Sequence, residues 1–352
     1  MYIIKQIPED FVVKEISSVE IKDKGRHAYF RLKKKNRNTL DVIKEIARQL
    51  HLKEKQIGFA GNKDKQAVTE QLISIPVAKK EKIKEINVDN VSLDFVGYDD
   101  RPLSLGDLQG NEFEVVARNL DKCNINKIKF VENYFDEQRF GSNNVEIGKG
   151  LVRRDFSAAA QLINNSKIKE HLAKNRNDFV GALKELPMRL LKMYVHAYQS
   201  YLWNETLAHY LSNALSNAPG NTGSVVKEVR YFLGKFVFVS DADIVSDADK
   251  FSALEIPLIG FAGGDYELDD KLKGIITKIM SREEISFSDF VIRQIPELSL
   301  EGGLRKAFVE IGNLKVGKEE KDDFNKRKKK IKLAFSLPKG SYATIVIKRI
   351  CS

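Results

Sequence analysis

The period of apolar and polar positions changes several times along this chain, and the changes mark its elements. FVVKEI (11–16) and HAYFRLKK (27–34) read as strands; in the second, Ala28, Phe30 and Leu32 alternate with His27, Tyr29 and Arg31. The period then lengthens. From Leu40 to Leu50, Ile43, Ile46, Ala47 and Leu50 share one helical face, with Thr39 as the expected N-cap and Asp41 at the positive end of the dipole. VSLDFVGY (91–98) and EFEVVAR (112–118) add two more strands. This is an α+β pattern, without the regular βαβ repetition of a doubly wound sheet.

The middle of the chain is helical in its spacing: INKIKFVENYF (125–135), DFSAAAQLIN (155–164) and MYVHAYQSYLWNETLAHYLSNAL (193–215) carry few strand signals. In the last, Val195, Tyr198, Tyr201 and Leu202 form one expected buried stripe, which leaves Gln199, Ser200 and Asn204 to solvent or helix contacts. SNAPGNTGS (216–224) is a break. Strand character returns in LAFSLPKG (333–340) and SYATIVIKRI (341–350), both β-branched and aromatic. A tail that belongs with the first sheet implies a discontinuous domain, 1–130 with 309–352, interrupted by a largely helical insertion at 131–308.

A length of 352 residues fits about two domains, and 42% hydrophobic residues suffice for a substantial core. The balance of 59 basic against 49 acidic residues leaves +10, which favours a polyanionic partner. Cys123 and Cys351 are far apart and form no CxxC pair, so an intracellular chain without a disulfide framework is expected. The five histidines make no HExxH and no Cys/His cluster, so zinc is not supported. MYIIKQIPEDF does not read as a signal peptide, and no apolar run approaches the ~20 residues of a membrane span. GFAGG (260–264) lacks both GxGxxG and the lysine of a phosphate loop.

The densest chemistry lies in GFAGNKDKQAVTEQ (58–71), where Asp64 stands between Lys63 and Lys65. Ile57 to Ala60 reads as a short strand, Gly61 and Asn62 as a turn, and TEQLISIPV (69–77) as the next strand. An acid held there beside two ammonium groups would be kept ionised, as a nucleophile or base requires. Spacing alone is better explained by a solvated turn.

Resemblance reverses that reading. This stretch, together with IPEDFVVKE (7–15), QGNEFEVVAR (109–118), NYFDEQRFG (133–141) and LPKGSYATIVIKRI (337–350), resembles the blocks of the TruD family of pseudouridine synthases. The five blocks stand in the family's order and span nearly the whole chain. The resemblance implies a catalytic domain on a mixed, mainly antiparallel sheet, a family-specific insertion, and RNA bound in the cleft between them. It implies isomerisation of uridine to pseudouridine in tRNA, most typically at position 13, with neither metal nor organic cofactor. Asp64 falls on the essential aspartate. Lys5 falls on a lysine close to that acid, Asn111 on a residue facing the uracil edge, and Phe11, Phe113 and Tyr342 on aromatic positions of the site. Core packing is nearly as good an explanation of Phe11 and Phe113.

One departure stands out: Asp136 replaces the glycine expected in NYFGxQRFG, so a positive φ there would be strained, and contacts from Asn133, Gln138 and Arg139 would shift. KKKNR (33–37), GGLRK (302–306) and KRKKKIK (326–332) are candidate phosphate contacts, or merely solvated faces. The nearest alternative is a synthase for another tRNA or RNA position. A different class is a non-catalytic RNA-binding protein of the same fold, against which the intact KDK turn argues; the missing Walker motif disfavours a nucleotide-driven enzyme. A cytoplasmic monomer is the expected state.

Overall fold

The computed structural model describes residues 2–122, 128–216, 227–240, 251 and 253–351. The chain divides into two compact units, Met1–Lys129 with Glu310–Ser352, and Phe130–Val309. Cys123 and positions 217–224 of the expected break lie outside the described residues.

The first unit begins with β1 (Phe11–Ser17), β2 (His27–Lys35), α1 (Thr39–Gln49), β3 (Gly58–Phe59), β4 (Val68–Pro76), β5 (Val91–Asp99) and β6 (Leu108–Leu120). β1 runs parallel to β4 and antiparallel to β6, while β2 lies antiparallel between β4 and β5. The inward side chains Ala28, Phe30, Leu32, Ile73 and Ile75 meet Val42, Ile43, Ile46 and Ala47 of α1. Tyr29 departs from the expected alternation: it is fully buried on the opposite face, where its hydroxyl donates to Arg101 O at 3.1 Å. The helix cap also differs. Asn38 caps α1 by accepting from Leu40 N at 2.9 Å, which frees the Thr39 hydroxyl for another task.

The second unit holds α2 (Asn144–Val152), α3 (Phe156–Leu162), α4 (Ser166–Lys174), α5 (Phe179–Lys184), α6 (Met188–Ser216) and α7 (Asp270–Arg282). It also carries the short strands β7 (Phe130–Glu132), β8 (Lys227–Tyr231), β9 (Gly234–Phe238), β10 (Glu255–Leu258), β11 (Gly303–Lys306) and β12 (Phe308–Glu310). The helix expected across 125–135 is replaced, where described, by β7 paired with β12. α6 is buried on more than one side, so its polar residues serve the interior rather than solvent. Asn204 accepts from Phe135 N at 2.9 Å and donates to Phe135 O at 2.8 Å, and Gln199 donates to Ile259 O at 2.9 Å. Ser200 is buried too and donates to His196 O. Val195, Tyr198 and Leu202 are buried as expected, and Tyr201 is half-buried. Asp136 has φ −78°, so the lost glycine costs no backbone strain. GGLRK is structural in its arginine: Arg305 donates to Asn133 O and Oδ1 and lies over the Phe135 ring.

The chain then returns to the first sheet as β13 (Gly312–Val316), β14 (Glu320–Lys321) and β15 (Lys329–Pro338), followed by α8 (Ala343–Cys351). β15 lies antiparallel between β6 and β13, giving the order β13-β15-β6-β1-β4-β2-β5. The fold is a mixed, mainly antiparallel α+β sheet. SYATIVIKRI is therefore not a strand; Ile345, Val346 and Ile347 are all buried on a helix. No helix among the described residues is long and apolar enough to cross a membrane.

Candidate active site

The loop between β3 and β4 is built from beneath. β3 pairs with β4 through only two residues, Gly58 with Ser74 and Phe59 with Ile73, so the chain must turn at once. Gly58 has to be glycine, because a Cβ there would stand 2.3 Å from Leu103 O. Three side chains then hold the loop. The freed Thr39 hydroxyl accepts from Lys63 N at 3.1 Å, and Gln71 donates to Gly61 O at 2.9 Å. Lys34, 1% exposed, donates to Arg37 O and Asp64 O at 2.8 Å each and to Lys63 O at 3.4 Å. Among the described residues no carboxylate pairs with it. Burial pushes its ammonium down to about 8, a shift that the Asp64 charge opposes and the Lys63 charge reinforces.

So anchored, Asp64 presents a carboxylate that is 41% exposed and lies 3.3 Å from Lys5 Nζ. Lys5 is held tightly: its side chain is 9% exposed, and its ammonium lies 4.1 Å from the Phe11 ring centroid. Its φ of 58° is left-handed, a conformation costing on the order of 1 kcal/mol or more in a residue with a side chain. The surroundings impose it. Ile3 and Arg118 exchange both backbone hydrogen bonds, at 2.9 and 2.8 Å, and the Arg118 guanidinium binds buried Asp10 and Asp322.

The cation beside the acid is thus Lys5, while Lys63, its chain neighbour, points elsewhere. Lys63 Nζ pairs with Glu15 Oε2 at 2.9 Å and donates to Asn111 Oδ1 at 2.6 Å. The Glu15 contact is ionic, since its angle falls outside hydrogen-bonding geometry. Lys65 is exposed, and its backbone carbonyl accepts from Ala67 N at 2.9 Å. Asn111 stands opposite Glu15 on β1 and Leu337 on β15, so the strand register places it. Phe113, one pleat along, packs edge-on against Phe11 at 6.1 Å and tilted against Phe335 at 5.6 Å. Both Phe11 and Phe113 are buried, at 2% and 7% exposure. Half-buried Tyr342 follows the end of β15 and precedes α8.

Lys5, Phe11 and Asp64 are therefore in direct succession, Asn111 is joined to the Asp64 loop through Lys63, and Phe113 shares the strand of Asn111. Glu15 is absent from the sequence candidates, while Lys34 and Thr39 serve the loop instead of the expected phosphate contact and N-cap. The signal was present: Lys34 continues the inward series Ala28, Phe30, Leu32, and Glu15 continues Phe11 and Val13. A groove of about 400 Å³ formed with Lys14, Glu112, Glu114 and Lys315 opens on the reverse face of the sheet, where Glu114 is already paired with Lys14 and Lys332. It is separate from Asp64. Among the described residues no group of three or more His, Cys, Asp or Glu side chains is placed to hold a metal ion.

A family model described as tRNA pseudouridine synthase D (TruD) matches residues 2–171 and 161–350. The chain is 34% identical to tRNA pseudouridine synthase D of Aquifex aeolicus, across 99% of this chain and 98% of that one. It is 31% identical to the Methanococcus maripaludis protein named Probable tRNA pseudouridine synthase D 1, across 98% of each. A crystal structure of a Methanosarcina mazei protein assigned as tRNA pseudouridine synthase D (TruD) superposes with a TM-score of 0.69 at 25% identity, covering 99% of this chain and 93% of that one. With its sheet, its anchored acid and these likenesses along its whole length, the chain belongs to the tRNA pseudouridine synthase D (TruD) family.

Proposed function

We propose that this chain isomerises uridine 13 of tRNA to pseudouridine, with Asp64 as the catalytic carboxylate. The reaction breaks the N1–C1′ bond, turns the uracil and joins C5 to C1′; C5 gives up a proton and N1 takes one. Atoms balance within the substrate, so the reading needs no cofactor. Positive character develops at C1′ as the bond breaks, and a fixed carboxylate stabilises it. Lys5, 3.3 Å away, holds that carboxylate in its aim. Asn111 meets the uracil edge, Phe11 and Phe113 form the floor, and Tyr342 supplies a ring for the everted base. Eversion costs a few kcal/mol, and stacking returns roughly 1–3 kcal/mol of it.

The observation that carries the reading is the anchoring of one half-exposed carboxylate by Lys34, Thr39 and Lys5. All six proposed site residues belong to the same unit, Met1–Lys129 with Glu310–Ser352. We assign catalysis to that discontinuous unit (near 1–130 and 309–352) and the TruD-type insertion to 131–308, in an enzyme acting as a cytoplasmic monomer. The test maps pseudouridine in unmodified tRNA by carbodiimide adducts and primer extension. Wild type gives a stop one nucleotide 3′ of position 13; Asp64→Asn abolishes it while tRNA affinity stays within a few fold. Modification that survives in Asp64→Asn rejects Asp64 as the catalyst, and a stop elsewhere reassigns the target. Binding without any modification by wild type points to the RNA-binding alternative.

A further inference from the structure

We propose that Lys63 sets the base specificity of the site by fixing which end of the Asn111 amide faces the substrate. The inference rests on the placement of Asn111 at the uracil edge. An ammonium group has donors and no acceptor, so the Asn111 atom 2.6 Å from Lys63 Nζ is the amide oxygen. Nδ2 is turned the other way, and among the described residues it meets no acceptor. The site therefore offers a donor at that point.

Lys63 is not free to release the amide. Its ammonium is tied to Glu15, and the two side chains are 6% and 1% exposed. The second Glu15 oxygen accepts from Leu72 N at 3.3 Å, and the Lys63 backbone is gripped by Thr39 and Lys34. A donor at the base edge matches O4 of uracil. Cytosine presents an amine at the same place, which sets donor against donor. An amide free to turn over would serve either base, so discrimination comes from the lock rather than from asparagine itself.

The experiment measures affinity for two tRNAs that differ only in uridine or cytidine at the target position, in an Asp64→Asn background that prevents turnover. Single-turnover rates on the uridine tRNA are measured with Asp64 intact. Expected is a preference for uridine of at least about tenfold in the lysine-bearing protein. Lys63→Met brings the ratio below about threefold, partly by tightening the cytidine complex, which a merely structural loss would not do. Glu15→Gln moves it in the same direction, and Lys63→Arg restores it. Thermal melting confirms that each variant is folded; should Lys63→Met fail to fold, Glu15→Gln decides. A ratio unchanged in Lys63→Met, or a ratio near one in the lysine-bearing protein, overturns the lock. If Asn111→Ala also leaves single-turnover rate and ratio untouched, the placement of Asn111 has failed instead; if it slows turnover, that placement stands and only the lock is lost.

Discussion

Lys34 puts a charge where the strand pattern calls for an apolar side chain, and the loop that carries Asp64 depends on it. Its ammonium has three N–H groups for three carbonyls; the neutral amine has two. Because burial lowers this group to about 8, kcat is expected to fall as pH rises through that region, with the protonated form active below it. Lys34→Arg should move this limb to higher pH. Lys34→Met should lower kcat by up to about a hundredfold at every pH, through misplacement of Asp64, with tRNA affinity little changed. A pH profile of single-turnover rate for the three proteins checks both outcomes; an alkaline limb that persists in Lys34→Arg excludes Lys34 as its source. The sequence singles out Asp64 through the resemblance of GFAGNKDKQ to a family block, since spacing alone favours a solvated turn. Its support was not legible, since Thr39 and Lys34 act on residues distant in sequence, and local rules assign them a cap and a solvated run.

At the scale of elements, the strands and α1 followed from periodicity, whereas SYATIVIKRI did not. Helix propensity penalises isoleucine and valine by at most about 0.7 kcal/mol each, while burying such a side chain yields about 1.5–3 kcal/mol. Burial decides, and β-branched residues then sit well on α8. Elements also depend on distant charges. Arg118 joins β6 to the amino-terminal segment through Asp10, and to the segment between β14 and β15 through Asp322. Burial pushes the Asp322 carboxyl up, but hydrogen bonds from Asn119, Asn325, Phe324 and Arg118 outweigh it and hold the group well below the usual carboxylate range. A lowered folded-state value gives stability that is fully present above the unfolded value of about 3.9 and is lost as pH falls toward the folded one. Urea midpoints should therefore decline below about pH 4 in wild type and decline less steeply in Asp322→Asn. Arg118→Met should cost about 3–5 kcal/mol at neutral pH, because it strands two buried carboxylates; a loss under 1 kcal/mol would contradict the clamp.

For the whole molecule, the charge of +10 says less than where the cations are spent. In KRKKKIK, Lys328 pairs with Asp121, Lys329 with Glu319, Lys330 with Asp323 and Lys332 with Glu114. Lys326 and Arg327 have no partner among the described residues. If five to seven phosphates are engaged, the slope of log affinity against log salt should be roughly −3.5 to −6. Removing Lys326 and Arg327 together should reduce its magnitude by about two, whereas Lys328→Ala should leave it unchanged. Filter binding across a salt series measures this. The α+β class was readable because it depends on periods within short windows; the fate of each basic run was not, because its partners come from other strands.

β6 receives β1 on one side early in synthesis, but its other neighbour, β15, is translated only after Phe130–Val309 has been made. At ribosomal speed the β6 edge therefore waits for tens of seconds, bare along most of its length, with its amides and carbonyls open to any passing strand. Throughout that interval the nascent polypeptide is expected to need a chaperone's cover along this edge.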